Sequence, residues 1–95
     1  DKIGDCLKEL KRYKEAIEAY DVILRVQKSE SYLYDKIGDC YISLKENEKA
    51  IEFYKHAVQY SENKAFIFDK LGTTFYKLGR YQEAVESYSK SISFY

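Results

Sequence analysis

The sequence repeats itself every 34 residues, and that period constrains the fold more than any single motif does. Gly4, Gly38 and Gly72 stand one period apart, as do Leu10, Leu44 and Leu78; Ala16, Ala50 and Ala84; Glu18, Glu52 and Glu86; and Tyr20, Tyr54 and Tyr88. The hexapeptide DKIGDC at positions 1–6 recurs unchanged at 35–40. A fixed period of this size marks an array of supersecondary units, none of which can bury its apolar face alone. The unit is stated most fully by residues 35–54, DKIGDCYISLKENEKAIEFY.

Within each unit the apolar residues recur at steps of three and four, the spacing of one face of an α-helix. The first copy carries Ile3, Leu7 and Leu10, a polar break at Lys11 and Arg12, then Tyr13, Ala16, Ile17, Tyr20, Ile23 and Leu24. The second runs through Tyr34, Ile37, Gly38, Tyr41 and Leu44, breaks at Lys45, Glu46 and Asn47, and resumes with Ala50, Ile51, Tyr54, Ala57 and Val58. The third gives Phe68, Leu71, Gly72, Phe75 and Leu78, then Tyr81, Ala84, Val85, Tyr88 and Ile92. Proline is absent and glycine occurs four times, which suits uninterrupted helices. The pattern predicts three helix pairs, the first incomplete, as one domain over 1–95 with units at 1–30, 31–64 and 65–95. The hydroxyls of Ser29 and Ser31 are expected to cap the third helix, and Gly79 to end the fifth. A glycine inside a helix costs about 1 kcal/mol relative to alanine. Three of them in register imply a compensating close approach, expected at Ala16, Ala50 and Ala84. The chain has no methionine and opens partway through a unit, so it reads as a piece of something longer.

Sixteen basic and sixteen acidic side chains leave no net charge, which disfavours a nucleic-acid partner held through phosphate. No apolar run approaches the roughly 18–20 residues that span a bilayer, and a soluble, cytoplasmic protein without a membrane partner is expected. Catalytic and cofactor constellations are missing. His56 has no second ligand in helical register, so no metal site is expected. Cys6 and Cys40 occupy one register position, held by Thr74 in the third copy, and read as small packing residues that do not pair with each other. The helical glycines form no phosphate-cradling loop.

The ordered series Tyr34, Ile37-Gly38, Tyr41, Ala50, Tyr54, Ala57 resembles the tetratricopeptide repeat, and Phe68, Leu71-Gly72, Phe75, Ala84, Tyr88 repeats it. The first copy keeps Ile3-Gly4, Leu7, Ala16 and Tyr20. The resemblance covers essentially the whole chain. It departs in lacking the closing proline, in Asn47 for an aromatic and in Ser91 for alanine, which should loosen local packing. The resemblance implies an all-α fold, helix-turn-helix units stacked as a right-handed α-solenoid, and a non-enzymatic protein-interaction scaffold without cofactor. Its concave groove would take an extended peptide or a helix of a protein partner.

The corresponding stripe here carries Asp1, Asp5 and Lys8 in the first unit, Tyr32, Asp35, Asp39 and Ile42 in the second, and Phe66, Asp69, Thr73, Tyr76 and Lys77 in the third. Two readings stand. Lys2, Lys36 and Lys70, each beside an aspartate, could neutralise the row from unit to unit; or the row is an acidic, aromatic-flanked groove for a basic or mixed peptide, steered by its field. The clamp by which chaperone-binding members of the family hold an acidic C-terminus is not carried over, because aspartates stand where it needs cations or amides. The alternatives to a peptide scaffold are a structural spacer or self-associating module in a longer array, and a regulatory segment of a larger enzyme. Exposed apolar residues at both ends, Ile92, Phe94 and Tyr95 among them, are expected to favour self-association through the solenoid ends.

Overall fold

The computed structural model describes residues 2–27 and 30–95. These form α1 (Lys2–Glu9), α2 (Tyr13–Leu24), α3 (Ser31–Ser43), α4 (Asn47–Tyr60), α5 (Lys64–Lys77) and α6 (Tyr81–Ser93), with no strand among the described residues. Each helix packs on the next in sequence, so α3 is gripped by α2 on one side and α4 on the other, and α5 likewise by α4 and α6. The result is an all-α helical-repeat solenoid measuring 35 × 26 × 18 Å, longer along one axis, as serial stacking requires.

Double-sided packing explains where the core departs from the sequence reading. A single apolar stripe on α3 was expected at Tyr34, Ile37, Gly38, Tyr41 and Leu44. The buried residues are Leu33, Ile37, Gly38 and Cys40, while Tyr34, Tyr41 and Leu44 are half-buried. Leu33, Ile37 and Cys40 join α2 residues Ala16, Tyr20 and Leu24 in one apolar cluster; Ile67, Leu71 and Phe75 of α5 join Ala50, Ile51 and Tyr54 of α4 in the other. Cys40 is sealed in the core as a small packing residue, and burial pushes its thiol up to about 11. Cys6, in contrast, is exposed on α1, and both thiols are free.

The helical glycines are compensated by tyrosine, not by the expected alanines. A Cβ on Gly38 would lie 2.5 Å from Cε1 of Tyr54, and one on Gly72 would lie 2.7 Å from Cδ1 of Tyr88; Tyr20 covers Gly4 in the same way. The ring of each second helix lies flat on the backbone of the first, and no larger residue fits beneath it.

The turn between paired helices also repeats. Gly79 has φ +75°, and Lys45 and Lys11, one and two periods earlier, have φ +62°. All three occupy the left-handed position just past a helix end, where glycine is the unstrained choice. Of the two serines expected to cap α3, only Ser31 is described, and it does not cap. Glu30 precedes α3 without a side-chain cap, Ser29 lies outside the described residues, and the Ser31 hydroxyl donates instead to the carbonyl of Ala57 at 2.9 Å. One repeat later the roles reverse, and Ser91 donates to the carbonyl of Ala65 at 2.8 Å. Ser91 is buried and satisfied, so its departure from alanine does not loosen the joint.

Two outcomes follow for stability. Gly38→Ala gains about 1 kcal/mol of helix propensity but overpacks a buried ring, a cost of about 1–3 kcal/mol. Urea unfolding should therefore give a net loss that disappears when the substitution is made in a Tyr54→Leu background. Lys45→Gly should raise stability by about 1 kcal/mol through relief of the left-handed backbone, while Gly79→Lys lowers it by a similar amount; equal and unchanged midpoints would contradict the turn geometry.

Candidate functional site

The sequence-predicted stripe lies on α1, α3 and α5, whose order along one face is fixed by ion pairs between units. Lys36 of α3 donates to Oδ1 of Asp5 on α1 at 2.8 Å. Lys70 of α5 donates to Oδ1 of Asp35 at 2.8 Å and to both carboxylate oxygens of Asp39, at 3.1 and 3.2 Å, on α3. The carboxylates are also claimed from below. The phenol of Tyr20 donates to Asp5 at 2.6 Å and that of Tyr54 to Asp39 at 2.5 Å. Each node thus runs from a helical glycine through the tyrosine that covers it to an aspartate, and from there to the lysine of the next unit.

In the third unit Thr73 stands in the aspartate position and shares a 2.9 Å hydrogen bond with the Tyr88 hydroxyl.

The electrostatics follow from this pairing. The hydrogen bond from Lys36, then that from Tyr20, holds Asp5 below the usual carboxylate range. Burial pushes Asp35 above it, even against the hydrogen bond from Lys70. Burial works to lower the Lys70 ammonium, yet the Asp35 hydrogen bond and the two carboxylate charges outweigh it and the net shift is upward. Burial, reinforced by Asp5 and Asp39, raises the phenols of Tyr20 and Tyr54. Lys70 further sits 4.5 Å from the centroid of the Phe66 ring and 5.7 Å from that of Tyr54, a cation–π geometry. It is a structural keystone with its donors committed.

Of the two readings of the row, these contacts favour neutralisation by lysine from unit to unit. Of the five aspartates on the stripe, Asp5, Asp35 and Asp39 are bridged by lysine. Asp1 lies outside the described residues. Asp69 is exposed and, among the described residues, without a partner. Lys8, Lys36, Lys70 and Lys77 balance the four described carboxylates in number.

Two hollows remain open on the third-unit side of this face. One, of about 380 Å³, gathers Tyr32, Asp35, Tyr60, Asn63 and Phe66. The other, of about 160 Å³, gathers Asp39, Ile42, Asp69, Thr73 and Lys77 over Tyr54 and Lys70. Eight of the twelve stripe residues therefore line two shared hollows, while Asp5, Lys8 and Tyr76 line neither and Asp1 is not described. Tyr60 and Asn63, at the α4–α5 joint, were not foreseen, because the stripe was read from the first helix of each pair alone. His56 is exposed with its ring 5.3 Å from that of Tyr34, and no group of three or more His, Cys, Asp or Glu suited to a metal occurs among the described residues.

Two family models described as tetratricopeptide repeat match residues 30–95 and 2–29. The chain belongs to the tetratricopeptide repeat family. Such repeats are typically non-enzymatic protein-interaction modules. No curated relative matches this tetratricopeptide chain. Among solved structures it is similar to crystalline MamA, with 24% identity and a TM-score of 0.87 over 97% of this chain and 54% of that one, so it spans about half of MamA's length. It also resembles the second tetratricopeptide domain of Spaghetti (RPAP3) bound to the HSP90 peptide SRMEEVD, at 20% identity and TM-score 0.86 over 96% and 84% of the two chains. A third is the Sgt2 domain from Aspergillus fumigatus, at 23% identity and TM-score 0.85 over 97% and 61%. At these identities the likeness concerns the fold. No helix among the described residues is long and apolar enough to cross a membrane.

The keystone role of Lys70 can be measured. Its pairs are 18–27% exposed, whereas Asp5 and Lys36 are 43% and 32% exposed. Lys70→Met, which keeps the apolar stem, should cost about 1–3 kcal/mol by stranding two carboxylates, and Lys36→Met about 0–1 kcal/mol. The sign with pH is set by Asp35, whose folded pKa is already raised. Protonation favours the folded state there, so the Lys70→Met deficit in urea unfolding should shrink as pH falls from neutral into the carboxylate range. A deficit that grows on acidification would contradict the assignment.

Proposed function

We propose that the chain is a protein-interaction scaffold that takes a short peptide or helix of a protein partner along the α1, α3, α5 face. The observation that carries this reading is the placing of exposed aromatics, Tyr32 at 45% and Phe66 at 48%, around the larger hollow, on a face where Asp5, Asp35 and Asp39 are already held by lysine. Exposed aromatic groups beside a hollow supply binding energy at small conformational cost, and Tyr is enriched among residues that dominate interfaces. The solved neighbour holding the SRMEEVD peptide supports a peptide as the ligand class.

The ligand chemistry follows from the charge balance. An apolar or aromatic side chain fits between Tyr32 and Phe66. One Lys or Arg meets Asp69, and an acidic group meets Lys77 across the smaller hollow, which makes the partner mixed in charge. Asp35 and Asp39 orient Lys70 and are not expected to meet the ligand directly. An acidic C-terminus like that of SRMEEVD is disfavoured because Asp5, Asp35 and Asp39 already occupy Lys36 and Lys70, so those cations are not available to a ligand carboxylate.

Selection from a random peptide library followed by fluorescence anisotropy tests the reading. Enriched peptides should combine an aromatic or branched apolar residue with a basic one. Tyr32→Ala and Phe66→Ala should each weaken binding roughly ten-fold, in line with the 1–2 kcal/mol of an interface anchor. Salt should matter little, since a single exposed aspartate is screened over about 8 Å at physiological ionic strength. Peptides that bind the Tyr32→Ala, Phe66→Ala double variant as well as the parent would move the site elsewhere.

A further inference from the structure

We propose that the hollow between α4 and α6, over α5, is a docking site that takes a tyrosine side chain of a partner protein. It shares no residue with either hollow of the peptide face, and the proposal does not rest on that reading.

The hollow, of about 360 Å³, has Val58, Phe68, Leu71 and Phe75 as its apolar lining and Ser87 in its α6 wall. One unit earlier the equivalent space is occupied. Tyr34 and Tyr41 stand one period before Phe68 and Phe75, and Phe53 one period before Ser87. The Phe53 ring packs against both tyrosines, its centroid 6.3 Å from that of Tyr34 and 5.5 Å from that of Tyr41. Serine at 87 takes that ring away and leaves the aromatic walls standing. The chain thus fills an aromatic site for itself at one joint and leaves it open at the next.

The opening belongs to the joint, not to what adjoins it. The lining comes from α4, α5 and α6 together. Phe53 joins the cluster made with α2 and α3, whereas the contact with the following helix uses Ala50, Ile51, Tyr54 and Ala57. Its counterpart Ser87 is therefore turned back toward α5, away from the side of α6 on which a further helix would pack.

The buried hydroxyl selects among rings. Ser87 is 7% exposed, and its hydroxyl makes no hydrogen bond among the described residues, although the buried hydroxyls of Thr74 and Ser91 donate to the carbonyls of Lys70 and Ala65. A buried hydroxyl without a partner is costly and marks the place where one arrives. A ring entering from solvent brings its far end to Ser87. Tyrosine can pair with it there, and phenylalanine would leave it stranded. The rim then favours a polypeptide over a free phenol. Glu83 is committed to Arg80, and Lys90 lies over the Phe68 ring, 5.5 Å from its centroid. Lys55 and Glu86 are exposed and form no hydrogen bond or ion pair among the described residues. One base and one acid are left to meet charged residues on either side of the tyrosine.

The test uses the chain carrying Tyr32→Ala and Phe66→Ala, so that failure at the peptide face and failure here are separate results. Peptides selected on it from a random library should carry a tyrosine flanked by charges, and should shift the amide NMR signals of Phe68, Phe75 and Ser87. Ser87→Phe repeats the side chain that α4 has in this register. It should raise the urea midpoint and weaken these peptides roughly ten-fold or more, as loss of an anchor pocket does. Ser87→Ala keeps the hollow and should erase a several-fold preference for tyrosine over phenylalanine in the same peptide. Selection that enriches no peptide, or only peptides without an aromatic residue, overturns the proposal. So do peptides that bind Ser87→Phe as well as its parent, or a tyrosine preference that survives Ser87→Ala. N-acetyl-tyrosinamide binding as tightly as the peptides would make this a small-molecule site, and a dimer lost in Ser87→Phe would make the occupant a second copy; either result overturns the assignment to a partner protein.

Discussion

The seating of a tyrosine ring on a helical glycine is the contact on which the rest of the molecule depends. Tyr20 on Gly4, Tyr54 on Gly38 and Tyr88 on Gly72 set the distance at which the two helices of a unit meet. The same side chain then decides how units meet each other. In the first two units its hydroxyl reaches past the glycine to the aspartate one residue on, and that aspartate accepts the lysine of the following unit. A core contact, a half-buried hydrogen bond and an inter-unit ion pair thus share atoms. None of the three can be altered without disturbing the others, which is the condition under which energetic effects cease to add.

This arrangement reassigns the charges that a surface reading would give to a ligand. Aspartates in a row on one face suggest an electrostatic trap, but a carboxylate already held by a phenol and an ammonium contributes little field beyond its own neighbourhood. What the face retains for recognition is shape and aromatic surface, concentrated between α3 and α5, with Asp69 and Lys77 at the margin. Recognition of this kind relies on fit more than on long-range attraction, and it leaves the polar groups free to fix the geometry of the scaffold.

The helices, their pairing and the family were legible because each rests on a local regularity: apolar steps of three and four, a glycine past a helix end, small and large residues in a fixed order. Gly79 in the left-handed region was foreseen for that reason. Leu33 as a core residue was not, since a helix gripped from two sides has two buried stripes and periodicity favours the stronger one, whereas Cys40 was read as a packing residue from its register position. The tyrosine-to-aspartate bonds were similarly hidden, and the lysine-to-aspartate pairing was legible only as one of two readings of the row. Their partners lie 15, 31 or 35 residues apart, across a turn or a whole unit, and a period tells which positions are equivalent without telling which of them touch. Of the two accounts of the stripe's charge, the contacts at Lys36 and Lys70 follow the one in which lysines neutralise the row from unit to unit.

Equivalent positions need not be equal, and the serine bonds illustrate what that means for the history of the chain. Ser31 bonds to the backbone at Ala57, and in the next unit the hydroxyl has changed sides, from Ser91 to Ala65. The exposed pairs at the turns behave alike: Arg12 with Glu15, Glu46 with Lys49, Arg80 with Glu83, so the middle unit carries the opposite polarity. Each unit keeps one partner of each kind, on whichever helix it happens to lie. A chimera that set α6 against α3 would crowd two hydroxyls into one site, and one that joined α4 to α5 would supply none. The units look like copies, but they have diverged as matched halves, and a helix can be exchanged between them only together with its mate.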